Sequence, residues 1–155
     1  MVRRVAESGA GYVVMHSRGT VRDMARYDHA DYRDPAADAL TELQLRVDAA
    51  LSAGVAADAI VVDPGIGFGK TTEQNFELIR RLDELTAIGR PVLIGFSRKS
   101  SLGRILGDAD AKTGPLSASL AAAVAAYERG ATIIRAHDVR ETVEALTVAR
   151  AVVSG

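Results

Sequence analysis

A chain of 155 residues, 48% hydrophobic and 25% charged with a formal net charge of −1, has the balance of an ordinary globular domain. No apolar run approaches the ~18–20 residues of a membrane-spanning helix, and the basic Arg3–Arg4 start leads into Ala6, Glu7, Ser8 and Gly9 rather than a signal-peptide core. The absence of Cys excludes disulfides, thiolate zinc sites and a cysteine nucleophile, and a pI near 6.3 argues against an electrostatic hold on nucleic acid.

In chain order, residues 1–6 read as the end of a helix running into a strand at 12–15. A polar, Asp- and Arg-rich loop over 17–37 precedes a helix in which Leu40, Leu43, Val47 and Leu51 recur at helical spacing. A second strand at 59–62 leads into a glycine-rich loop. The next helix opens with the capping-box pattern Thr71-x-x-Gln74 and is expected to bury Phe76, Ile79, Leu82 and Leu85. A third strand at 92–96, a loop at 107–115, an Ala-rich helix at 116–129 and a fourth strand at 132–135 follow. The last helix begins at Asp138-x-x-Glu141, with Asp138 as its N-cap, and carries Val143, Leu146, Ala149 and Val153. Gly54, Gly89 and Gly130 each stand just past a helix, where a left-handed residue closes it.

The four runs are short, β-branched and apolar on both faces, as parallel strands buried on both sides should be. Alternation with helices predicts a parallel α/β architecture, either a doubly wound sheet or part of a (β/α)8 barrel. In both, chemistry collects at the carboxyl ends of the strands.

Those ends carry unusual residues. Met15 and His16 close the first strand: Met15 has a plain packing role or suits a flat ring, and His16 is a ligand, a base or a structural histidine. Asp63 stands at the mouth of the second, where a carboxylate needs donors, from a ligand's amino edge or from the loop it ties down. Gly65, Gly67 and Gly69 with Phe68 describe a loop lying close to a ligand with one ring pressed against it. Gly69, Lys70 and Thr71 match the end of a nucleotide P-loop, but Pro64 stands where its first glycine should be, and the Rossmann glycine spacing fails too.

After the third strand, Ser97 and Lys99, two apart, are expected to point together beside a helix starting at Ser100, which makes an anion or carboxylate site; the alternative is a solvated Arg98–Lys99 pair. Gly95 suggests a close approach to the backbone. Arg135, after two isoleucines of a buried strand, must find an anion or a flat partner, and with His137 on the same face reads as an oxyanion or phosphate clamp; the alternative is an internal salt-bridge network. Of three lysines against 16 arginines, Lys99 is the favoured functional one, Lys70 sits in a loop of close backbone contact, and Lys112 reads as surface. Together these ends suit a polar flat ring and a leaving anion.

Asp63–Pro64–Gly65–Ile66–Gly67–Phe68–Gly69–Lys70–Thr71, with Glu73, Gln74 and Asn75 after it, resembles the sixth-strand motif of the dihydropteroate synthase family. Ile94–Gly95–Phe96–Ser97–Arg98–Lys99–Ser100 is similar to its seventh, Arg135–Ala136–His137–Asp138–Val139 to its eighth, and Val14–Met15–His16 with Gly19–Thr20 to its fifth. The resemblance implies a (β/α)8 barrel that joins 6-hydroxymethyl-7,8-dihydropterin pyrophosphate to p-aminobenzoate, releasing pyrophosphate, with Mg²⁺ as cofactor. It implies that Asp63 binds the amino and ring-nitrogen edge of the pterin, and that Lys99 binds the carbonyl and ring nitrogen while contacting the aminobenzoate. Met15 and Gly95 would line the pterin slot, Phe68 would meet the aminobenzoate ring, and Ser100 its carboxylate. Arg135 and His137 would hold the pyrophosphate.

A full barrel runs to about 250 residues. The resemblance therefore implies the C-terminal half of the barrel, a (β/α) half-barrel over residues 1–155 with the N-terminal half and its Mg²⁺ ligand outside this chain. It further implies a cytoplasmic enzyme with small-molecule substrates, no nucleic-acid or membrane partner, and a homodimer built on the C-terminal helices. The readings held against it are a non-catalytic pterin- or phosphate-binding module and a P-loop nucleotide domain.

Overall fold

The computed structural model describes residues 1–20, 22, 24 and 30–153. Helix α1 (Val2–Ser8) runs into strand β1 (Tyr12–Met15), and α2 (Pro35–Ser52) leads to β2 (Ile60–Asp63) through a 3-10 turn at Ala57–Ala59. Helices α3 (Thr72–Arg80) and α4 (Leu82–Leu85) precede β3 (Leu93–Ile94). After α5 (Ser100–Ile105) and α6 (Leu116–Glu128), strand β4 (Ile133–Ile134) leads to α7 (Val139–Val153). Part of the loop expected over 17–37 lies outside the described residues, and its end is earlier than expected, because Asp34 caps α2 through bonds to the Ala36 and Ala37 amides and Pro35 takes the first helical position.

All strand pairs are parallel. β1 pairs with β2, Val13 opposite Val61, and β3 pairs with β4, Leu93 opposite Ile133. The bridge of Val62 to Val92 joins the two pairs in the order β1-β2-β3-β4. The first predicted strand has the expected bounds, and the other three are present but shorter or shifted. The second begins at Ile60, because Ala59 belongs to the 3-10 turn, and the third releases Gly95 and Phe96.

Burial on both faces is not what the structure shows. Val14, Ile60, Val62, Val92 and Ile94 are buried against the helices, with Leu43, Val47, Leu78, Leu82 and Leu85. The alternate residues form an open face, on which Val13 is 46% and Ile133 38% exposed. Period-two alternation puts Met15 and Asp63 on this same face.

Two helices also differ from expectation. The helix after Thr71 breaks at Arg81, whose guanidinium bonds Glu84 and Asp34, so Leu82 and Leu85 are buried from a separate turn. On α7 only Thr142 and Ala149 are buried; Val143 and Val153 are exposed, and Val143 lines a groove of about 350 Å³ with Tyr127, Ile134 and Leu146. The capping box is present in both directions, Gln74 N donating to Thr71 Oγ1 and Thr71 N to Gln74 Oε1. Thr71→Ala is expected to lower stability by about 1 kcal/mol, read as a lower denaturant midpoint with an unchanged slope. Gly54, Gly89 and Gly130 close their helices with φ of 93°, 70° and 98°. No helix among the described residues is long and apolar enough to cross a membrane.

Candidate ligand site at the strand ends

The second strand delivers Asp63 to the open face and then turns sharply. Asp63 Oδ1 accepts from Gly65 N at 2.7 Å, so one carboxylate oxygen shapes the loop. Burial pushes the Asp63 carboxyl up, while the Gly65 amide and the charges of Arg135, Lys70 and Lys99 pull the other way. Asn75, buried in α3, pins the loop from its far side: its Oδ1 accepts from Gly67 N at 2.7 Å, and its Nδ2 donates to Ser101 Oγ at 3.0 Å and Thr71 O at 2.8 Å.

Lys99 arrives from the third strand end. Its Nζ stands 4.2 Å from the centre of the Phe68 ring, and a Cβ at Gly67 would meet its Cδ at 3.0 Å. Burial lowers the Lys99 pKa, as does Arg135, with Asp63 opposing. Ser97 does not share its direction. The chain turns at Arg98, which has a φ of 57°, and the two-residue alternation ends there. Arg98 is held in the turn by its N–H to Ser119 Oγ at 3.0 Å and by its guanidinium on both carboxylate oxygens of Asp138. Asp138 stands at the start of α7 as expected, its carbonyl accepting from Thr142 N at 3.0 Å, but its carboxylate serves Arg98. Ser100 opens α5, whose first helical residues follow Lys99.

The fourth strand is not buried at its end, and Arg135 and His137 are both exposed. Arg135 lies across Gly95: a Cβ there would meet its Nη2 at 2.5 Å and its Nε at 2.9 Å. The close approach predicted at Gly95 is therefore made by a side chain of this protein, and Arg135 needs no internal anion because solvent reaches it. His137 instead meets Ser97, whose Oγ lies 3.1 Å from both its N and its Nδ1. The backbone N–H donates to Oγ. In the neutral ring the hydroxyl donates to Nδ1, which leaves Nε2 as an N–H donor. Met15 is half-buried on the open face, and Lys112 is exposed as expected.

His16 and Lys70 form a buried layer under the loop that the residue pattern left undecided. His16 Nε2 lies 3.0 Å from Glu42 Oε2 and its Nδ1 3.0 Å from Lys70 Nζ. Glu42 also takes Arg18 on its other oxygen at 2.6 and 2.9 Å, and Arg46 binds the carbonyls of Met15 and Ser17 at 2.7 Å each. These α2 residues were missed. The signal was available as Glu42 and Arg46 four apart on a helix otherwise apolar toward the sheet. Among the described residues, no group of three or more His, Asp or Glu is placed to hold a metal ion.

The open, parallel α/β sheet brings a carboxylate, a lysine and an arginine to one rim, groups that can pair with the polar edges and the anionic part of a flat ligand. The pterin binding enzyme family matches residues 1–137, and the chain belongs to that family. It is 41% identical over 153 residues to the dihydropteroate synthase of Mycobacterium leprae, an alignment covering 96% of this chain and 53% of the relative. The dihydropteroate synthase of Thermus thermophilus, solved in complex with 4-aminobenzoate, is 42% identical with a TM-score of 0.87, over 97% of this chain and 60% of that one. The Xanthomonas albilineans enzyme in complex with 7,8-dihydropteroate is 36% identical with a TM-score of 0.85, over 99% and 55%. The chain thus spans about half the length of the curated relatives it matches.

Proposed function

We propose that this chain is the C-terminal half of a (β/α)8 dihydropteroate synthase, a transferase that joins 6-hydroxymethyl-7,8-dihydropterin pyrophosphate to p-aminobenzoate. The observation that carries the reading is the placement of Asp63, Lys99 and Arg135 at one rim of the open sheet face, mutually coupled by charge, in a chain of this family. The half-barrel is supported by four parallel strands in sequential order with helices on one face only.

In this reading the second Asp63 oxygen takes the amino and ring-nitrogen edge of the pterin, and Lys99 its carbonyl side. Met15 and Gly95 line the slot. Phe68, already stacked on the Lys99 ammonium, meets the aminobenzoate ring, and Ser100 at the start of α5 meets its carboxylate. The bond between the pterin methylene and oxygen breaks with its electron pair leaving on pyrophosphate. The aminobenzoate nitrogen then bonds to the methylene carbon and gives up a proton. Arg135 and the Nε2–H of His137 stabilise the departing charge, with Ser97 orienting the imidazole. Mg²⁺ is the cofactor in this proposal, with its protein ligand outside these residues. A cytoplasmic homodimer is part of the proposal, supported by the valines exposed along α7.

Calorimetry with the pterin pyrophosphate, with and without Mg²⁺, and a coupled assay for dihydropteroate test it. Lys99→Ala is expected to weaken pterin pyrophosphate binding by roughly tenfold or more, whereas Lys112→Ala leaves it unchanged; equal losses would overturn the assignment. The second reading is a pterin-binding module without catalysis, which would keep Asp63, Lys99 and Arg135 at the rim. Tight binding with no turnover would select it.

A further inference from the structure

Beneath the glycine loop, Lys70 is fully buried. Its Nζ lies 3.2 Å from the Gly65 carbonyl, 3.0 Å from the Phe68 carbonyl and 3.0 Å from His16 Nδ1. An ammonium carries three hydrogens and no lone pair, so three acceptors saturate it. A neutral amine carries two hydrogens, and one of these acceptors would then be left without a donor. Two of the three are loop carbonyls, one of them Phe68's own, and the third follows directly on β1. We infer that Lys70 is a positioning residue, whose ammonium ties the Gly65 and Phe68 carbonyls to the end of β1 and so holds the Phe68 ring over Lys99. The inference rests on the reading of that place as the pterin and aminobenzoate site.

The charged and titratable groups facing Lys70 come from every element around it. They are Asp63 from β2, His16 and Arg18 after β1, and Glu42 and Arg46 from α2, with the Tyr32 ring 5.5 Å from Nζ. Burial, then Lys70 itself, holds His16 down to about 3, so its ring stays neutral, accepts from Lys70 and donates Nε2–H to Glu42. Burial brings Lys70 down to about 7; Asp63 and Glu42 oppose the fall, and Arg18 and Arg46 add to it. Below about 7 the clamp has all three donors, and above it one is lost. The sign for stability is opposite. The unfolded chain keeps this proton up to the ordinary 10.5 and the native chain releases it near 7, so Lys70 makes stability rise with pH across that window while the hold on the loop weakens.

The test combines ¹⁵N NMR of the amides of residues 65–69 with calorimetry of 6-hydroxymethyl-7,8-dihydropterin pyrophosphate and p-aminobenzoate across the neutral range. It is run on the chain and on His137→Gln, which removes the other imidazole of the site. The expected result is a step near pH 7 in the loop amides, retained in His137→Gln, and in the unaltered chain a roughly tenfold fall in p-aminobenzoate affinity above it. Lys70→Met, similar in length and uncharged, should bind about tenfold more weakly at low pH and show no step. Should Lys70→Met not fold, the amide step in the unaltered chain decides alone. Loop amides that stay constant through the neutral range, or a step that survives in Lys70→Met, would overturn the inference. If neither ligand binds at any pH, the pterin reading fails, and the amide titration still decides the role of Lys70.

Discussion

Gly65→Ala is expected to lower stability by roughly 3 kcal/mol, from about 1–2 kcal/mol for a left-handed alanine and about 1–3 kcal/mol for overpacking. Gly65 has a φ of 69°, and a Cβ built on it would run into the carbonyl oxygen of His16. That oxygen is backbone at the end of a paired strand and cannot swing aside. Gly95→Ala makes the contrast. The three atoms nearest its Cβ would all belong to the guanidinium of Arg135, the far end of a flexible side chain, so stability should change by less than about 1 kcal/mol. What Gly95→Ala should disturb is the place of Arg135, read as weaker binding of pyrophosphate. Denaturant midpoints for the two variants check this, and similar losses for both would show that the loop does not sit against His16 as described.

Asp63→Asn is expected to weaken pterin binding by about 10- to 100-fold, the worth of hydrogen bonds to a charged acceptor. The substitution separates two duties of one side chain. An asparagine oxygen can still accept from Gly65 N, as Asp63 Oδ1 does at 2.7 Å, so the loop stays pinned. The other oxygen becomes an NH₂ group, a donor set against the donor edge of a pterin. The measurement is calorimetry with the pterin pyrophosphate beside thermal unfolding. A variant that unfolds like the parent chain and binds as tightly would remove Asp63 from the ligand site.

The parts of the site visible in the sequence were those written in short-range pattern. Asp63 after an apolar run, the alternating glycines, and Lys99 just before a helix start each occupy a few consecutive residues, and each stands where local pattern placed it. The capping box at Thr71 was legible for the same reason. Contacts across long stretches were not. Lys70 meets His16 54 residues away, and His16 meets Glu42 26 away, and no periodicity connects them. The joint aim of Ser97 and Lys99 failed on one backbone angle, the positive φ of Arg98, which residue type does not announce. Burial of both sheet faces failed because an apolar strand says only that something can cover it; Val13 and Ile133 have no cover in this chain.

The period-two facing of side chains along β2 sets a rule for how this sequence can change length. Val61 and Asp63 look to the open face, Ile60 and Val62 to the helices. Adding or deleting a single residue in this four-residue strand would exchange the two sets, driving the carboxylate into the hydrocarbon layer and turning two aliphatic side chains toward the ligand. A change of two residues would restore the facing and merely alter how far the carboxylate projects. Length variation in this strand should therefore come in pairs, like codons kept in frame.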